Sequence, residues 1–131
     1  MTVNLIPSIN ETGLPMLEVF ICGKNHLFIL DSGSTSNLVS ADLKNSVEHS
    51  LSGEGTTYSF EGTVADCSIV KMSYSIGSAV HEADFTVTAA ATFSVFMEES
   101  GLLVEGILGI PFLIEHQCVL DFSEGRLLLE E

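Results

Sequence analysis

An aspartate closes the apolar run Leu27-Phe28-Ile29-Leu30 and opens the turn Asp31-Ser32-Gly33-Ser34-Thr35. A carboxylate carried off the end of a strand into a hydroxyl-rich turn is suited to taking a proton from water. Four successive apolar residues predict a strand buried on both faces. Gly33 permits a backbone path that a residue with a Cβ would resist. The plain alternative is an aspartate that caps its own turn, a common role for Asp before Gly. A second stretch bears on the choice: in Ile107-Leu108-Gly109-Ile110-Pro111-Phe112-Leu113, aliphatics meet a glycine and a proline able to open a short helix.

Other chemistries find little support. His26, His49, His81 and His116 show no H-E-x-x-H or close-paired spacing, so no metal is expected. His81, beside Glu82, is expected at the surface. Ser32 and Ser34 lack the G-x-S-x-G elbow of a nucleophilic serine. An Asp-x-Gly-Ser/Thr turn also holds phosphate in actin-type and sugar-kinase ATPases, but that arrangement needs two lobes, and no G-x-x-x-x-G-K-[ST] loop is present. Asp121, in Val119-Leu120-Asp121-Phe122-Ser123, has no following glycine and reads as a turn aspartate. The net charge of −14, with Lys24, Lys44, Lys71 and Arg126 as the cations, disfavours nucleic acid and anionic lipid as partners. Cys22, Cys67 and Cys118 are odd in number and without paired spacing, which points to buried thiols in a reducing compartment. No apolar run approaches the ~20 residues of a membrane span, and Met1 to Asn10 lacks the layout of a signal peptide, so the cytoplasm is the expected location.

The elements that must position Asp31 follow from pattern. Val3 to Ile9, interrupted by Pro7, predicts an edge or exchanged terminal strand, and Asn10 to Gly13 a turn. Leu14 to Cys22 alternates as a strand, Gly23-Lys24-Asn25 turns the chain, and His26 to Leu30 returns it. Ser40 to Val47 predicts a short helix capped by Ser40. Leu51 to Gly62, glycine-rich and polar, predicts a mobile hairpin or loop. Val64 to Ile76 and Ala83 to Ala89 read as strands about a turn near Gly77-Ser78. Thr92 to Gly101 is open between loop and helix. Pro111 to Gln117 predicts a short helix, Cys118 to Phe122 a strand, and Arg126 to Leu129 a last strand after a turn. The expected fold is mainly β, a closed barrel-like sheet with one or two short helices, and 131 residues make one domain, 1–131, without room for two active-site lobes.

The hairpin, the DSGS turn, the glycine-bearing segment, the ILG strand, the short helix and the V-L-D-F strand together resemble the retropepsin-like aspartic peptidases over most of the chain. The resemblance implies that Asp31 is the catalytic carboxylate, that Ser32 hydrogen-bonds across to a partner's catalytic loop, that Gly33 makes the turn and that Ser34 steadies the carboxylate. It implies a flap over Leu51 to Gly62, with Gly53, Gly55, Tyr58, Phe60 and Gly62 at the cleft, and Gly109 where the ILG strand approaches the catalytic loop. Leu30, Ile107 and Ile110 would line apolar subsites. Retroviral members usually carry Thr and Ala where this chain has Ser32 and Ser34, and Leu51 to Gly62 lacks a clear flap signature. The chemistry needs two carboxylates that share a proton around one water. One DSG per chain then implies a homodimer acting on a peptide or protein substrate without a cofactor. The alternative is a catalytically silent module of the same fold that binds peptides or a protein partner.

Overall fold

The computed structural model describes residues 1–58, 62 and 64–131. In chain order the elements are β1 (Thr2–Asn4), α1 (Ile6–Thr12), β2 (Met16–Ile21), β3 (Lys24–Leu30), β4 (Leu38–Ser40), α2 (Ala41–Ser46), β5 (Ser50–Tyr58), β6 (Val64–Ile76), β7 (Ala79–Thr88), a 3-10 turn at Ala90–Phe93, α3 (Ser94–Ser100), β8 (Val104–Leu108), α4 (Ile110–Glu115), β9 (Val119–Asp121) and β10 (Arg126–Leu128). Strands β2, β3, β8, β4, β7 and β6 are neighbours in that order, and the pairing of Phe20 with Ser75 joins β2 to β6, closing a six-stranded barrel. Among the described residues strand β5 pairs with β6 alone, as an edge, and β1, β10 and β9 form a separate antiparallel sheet.

The mainly β barrel is the predicted class, but the described residues hold four short α-helices rather than one or two. Two were missed. Pro7 sits in the first turn of α1, where its missing N–H costs nothing, so it opens a helix instead of interrupting a strand. Gly13 ends α1 at φ 79° and Gly101 ends α3 at φ 74°, each donating its N–H to the carbonyl four residues back at 2.8 Å. That left-handed ending suits glycine. The helix predicted after Ser40 is α2, and the Ser40 hydroxyl accepts from Leu43 N–H as an N-cap should.

The β2–β3 hairpin turns on Cys22 and Gly23, both at positive φ (47° and 86°), with Ile21 paired to Lys24. Two positive φ values match the right-handed twist of the flanking strands, so β3 starts earlier than expected. Along β3 the side chains alternate. Phe28 and Leu30 enter the main core with Leu17, Val19, Met72, Phe85 and Leu108, whereas Leu27 and Ile29 face a second apolar cluster with Met16, Phe93, Phe96, Val104 and Ile107. The 3-10 turn and α3 supply Phe93 and Phe96, which is how the Leu27–Leu30 run comes to be covered on both faces. Burial of each large apolar side chain stabilises the fold by about 1.5–3 kcal/mol.

Of the two alternatives for Leu51 to Gly62, hairpin or loop, Leu51 to Tyr58 takes the hairpin. Ser50–Tyr58 is a strand in register with β6, from Ser50↔Lys71 to Tyr58↔Val64, with a bulge between Leu51 and Gly53. Phe60 lies outside the described residues. Among the described residues no helix is long and apolar enough to cross a membrane.

Candidate active site

Asp31 follows directly on β3, and its place is set by its neighbours in the barrel. Strands β3 and β8 run parallel, with Ile29 opposite Ile107 and Leu30 opposite Leu108. Asp31 N–H extends that ladder to the Leu108 carbonyl at 3.0 Å, and Leu30 N–H donates to Pro15 on the other side. Both flanking segments thus fix where the strand ends.

Beyond Asp31 the chain turns at once. Ser34 N–H donates to the Asp31 carbonyl at 3.2 Å, and Gly33 N–H donates to Asp31 Oδ1 at 2.8 Å. Gly33 is not in the left-handed region. A Cβ there would stand 3.1 Å from Asp31 Oδ1, so it is closeness to the carboxylate, rather than an unusual φ, that favours glycine. Ser34, expected to steady the carboxylate, instead donates its hydroxyl to the Ser36 carbonyl at 2.7 Å. The carboxylate's hydrogen bond among the described residues comes from the Gly33 backbone. Ser32 and Gly33 are exposed and Asp31 is half-buried, so the carboxylate stands at the surface of a turn whose base is fixed.

The base is fixed by Gly109 and Asn37. Gly109 is buried, and a Cβ on it would collide with the carbonyls of Ser34 and Ser36. Ile110 N–H donates to the Ser34 carbonyl at 2.9 Å across the same contact. Asn37 is only 2 % exposed; its Oδ1 accepts from Gly109 N–H at 3.0 Å and its backbone carbonyl from Thr86 N–H at 2.8 Å. One asparagine therefore ties the turn to β8 and β7 together. Sequence reasoning missed it, because Asn before Leu38-Val39 looks like an ordinary turn residue.

The expected subsite residues separate. Leu30 is 4 % exposed and belongs to the main core, so it lines no cleft; alternation along β3 turns it inward. Ile107 is half-buried in the second cluster with Ile29, and Ile110 is half-buried at the start of α4. Gly53 and Gly55 lie in β5 and Tyr58 is exposed at its end, while Gly62 is exposed.

Asp121 is a turn aspartate with a complete set of partners: Ser123 Oγ at 2.7 Å, the N–H groups of Ser123 and Glu124 at 3.1 Å, and Arg126 Nε at 3.2 Å. The Ser123 hydroxyl foremost, then Glu124 N–H and Arg126, lower its pKa. His81 is not a surface residue; it is half-buried and stacks on Tyr74 near the buried His116.

No protein-family model matches the chain, and no curated protein does. Solved structures do. A retropepsin-like aspartic protease from Rickettsia conorii aligns with a TM-score of 0.62 at 14 % identity, covering 98 % of this chain and 88 % of that one. The retroviral protease-like domain of Ddi1 from Leishmania major aligns with a TM-score of 0.60 at 13 % identity, covering 90 % and 89 %. Identity this low speaks for the fold alone. With the barrel, the strand-end DSGS turn and the ILG strand running parallel beside it, the alignments establish that this chain has the retropepsin-like fold.

Proposed function

We propose that the chain is one subunit of a homodimeric aspartic endopeptidase in which Asp31 from each copy forms the catalytic pair. The observation that carries this reading is the setting of Asp31. A carboxylate held, among the described residues, by a single backbone N–H stands at an accessible turn, while Gly109 and Asn37 hold the base of that turn in place. A structural aspartate in the same chain looks different, since Asp121 spends both oxygens on its own turn and on Arg126.

Two carboxylates brought together cannot both ionise, so the pair holds one proton. The ionised member takes a proton from the water as its oxygen attacks the scissile carbonyl carbon, and the protonated member donates to the carbonyl oxygen. The resulting tetrahedral diol collapses when a proton passes to the amide nitrogen and the C–N bond breaks, leaving acid and amine. Ser32, exposed beside Asp31, is the residue to reach the partner's turn. The β5–β6 hairpin is the flap, and the substrate is a peptide or protein segment in extended form.

The test is cleavage of an unbiased peptide library by the wild-type chain and by Asp31→Asn, with folding and dimerisation checked by circular dichroism and sedimentation. The reading expects cleavage by the wild type, none by the variant, and the same assembly for both. Equal cleavage by both proteins, or no cleavage by a wild type shown to be dimeric, would overturn it.

A further inference from the structure

His116, at the end of α4, is 1 % exposed and both of its ring nitrogens are engaged. Nδ1 lies 2.7 Å from the Glu130 carbonyl, an acceptor, so Nδ1 carries the proton. Nε2 lies 2.8 Å from Tyr74 Oη and accepts from it. Burial raises the Tyr74 hydroxyl to about 12, so it stays a donor. Glu130 N–H returns a 2.7 Å bond to the His116 carbonyl, which makes a two-bond clasp between the end of α4 and the segment after β10. That segment has few other ties: Leu129 exchanges bonds with Met1 at 3.0 and 2.9 Å and buries its side chain in the main core.

We propose that His116 is a proton-operated clasp: neutral, it holds Leu129–Glu130 against the barrel with both ring nitrogens bonded, and protonated, it loses the bond from Tyr74 and is solvated by release of that segment. The geometry supplies the reason. A proton on Nε2 must face the Tyr74 oxygen, which forces the phenol to turn its own proton away inside the core, and it places a cation where the ring is closed off from water. The surroundings compensate only in part. From β7, His81 presents its ring edge-on at 4.6 Å between centroids, and its buried Nε2 has no hydrogen-bond partner among the described residues. From β6 comes Tyr74, from α4 itself Glu115 and Phe112, and nearby Cys118, whose thiol burial pushes up to about 11 and so keeps neutral. Glu115 and the Glu130 carbonyl favour the charged ring, but burial, the largest influence, wins and lowers the His116 pKa.

The sign follows from linkage. The closed form holds the proton more weakly than the open form, whose imidazole titrates near 6.5. Closure is therefore at full strength above about pH 6.5 and is lost as pH falls toward the lowered value, with opening rising up to about tenfold per pH unit in that window. Lifting Leu129–Glu130 is the easiest way to wet the ring, because Tyr74 and His81 lie within the long β6–β7 ladder of the barrel, whereas that segment is held by the Met1 pairing and the His116 bonds at the end of the chain. The clasp is independent of any hydrolytic role for Asp31.

The experiment uses the full chain. Side-chain ¹⁵N spectra should show His116 as the Nδ1–H form at pH 7, titrating below the ordinary imidazole value. Amide exchange at Leu129 and Glu130, corrected for intrinsic rates and referred to Met72, should accelerate several-fold from pH 7 to pH 5. His116→Gln, which can donate to Glu130 and accept from Tyr74 without titrating, should remove that acceleration, while His81→Gln should keep it. An Nε2–H form at neutral pH, exchange indifferent to pH in the wild type, or acceleration retained by His116→Gln would each overturn the clasp. If His116→Gln fails to fold, the wild-type spectra and exchange still decide.

Discussion

Gly109→Ala is the perturbation that probes most sharply how the Asp31 turn is held. A methyl group at residue 109 meets the carbonyls of Ser34 and Ser36, both backbone atoms, so no side chain can swing aside. Relief requires β8 to part from the turn. That separation weakens two hydrogen bonds, Ile110 N–H to Ser34 and Gly109 N–H to Asn37 Oδ1, at 2.9 and 3.0 Å. At about 1 kcal/mol each, with about 1–3 kcal/mol for forcing extra volume into a packed interior, the loss comes to about 4 kcal/mol. For a chain of this size that lowers Tm by about 15 °C. Gly53→Ala is the matched control, since nothing lies within 4 Å of its added Cβ, and it should stay within about 0.5 kcal/mol of wild type. Urea titration and calorimetry read both. A Gly109→Ala chain within about 1 kcal/mol of wild type would refute the claim that close backbone approach at Gly109 sets the turn.

Asp121→Asn should lower Tm measurably while leaving any peptidase activity unchanged, because the substitution weakens the bonds to Ser123 and Arg126 at the separate β1–β10–β9 sheet and none at the Asp31 turn. Since the Asp121 pKa is lowered in the fold, its contribution is present above the ordinary carboxylate range and fades as pH falls through the lowered value; an acid limb of stability that Asp121→Asn leaves untouched would count against this. Amide exchange should be faster in β5, an edge paired with β6 alone, than in β3, which lies between β2 and β8, and equal protection would contradict the flap assignment.

What could be read before the structure was known divides along physical lines. Asp31 and Gly109 stood out because their signals are local: an apolar strand ending in a carboxylate, and a glycine among aliphatics. Asn37 did not, because its meaning lies in a hydrogen bond 72 residues away and the asparagine itself looks like any turn residue. The segment of β5 read as either a hairpin or a loop because its glycines and hydroxyls depress strand propensity, and pairing with β6 decides for the hairpin. α1 was hidden by Pro7, read as a strand interruption when it was a helix opening, although Gly13 carried the matching stop signal. His116 gave no hint of burial, since Glu115 and Gln117 beside it are polar and exposed and only tertiary packing encloses its ring.

The central claim, that one active site is built from two Asp31 residues, is tested most directly by mixing wild-type and Asp31→Asn subunits at fixed total protein, with full subunit exchange confirmed by a mass-tagged copy. A mixed dimer holds one carboxylate and should be nearly inactive, so activity should fall as the square of the wild-type fraction, leaving about a quarter in an equal mixture. A linear decline, with about half the activity left after complete exchange, would contradict the shared site.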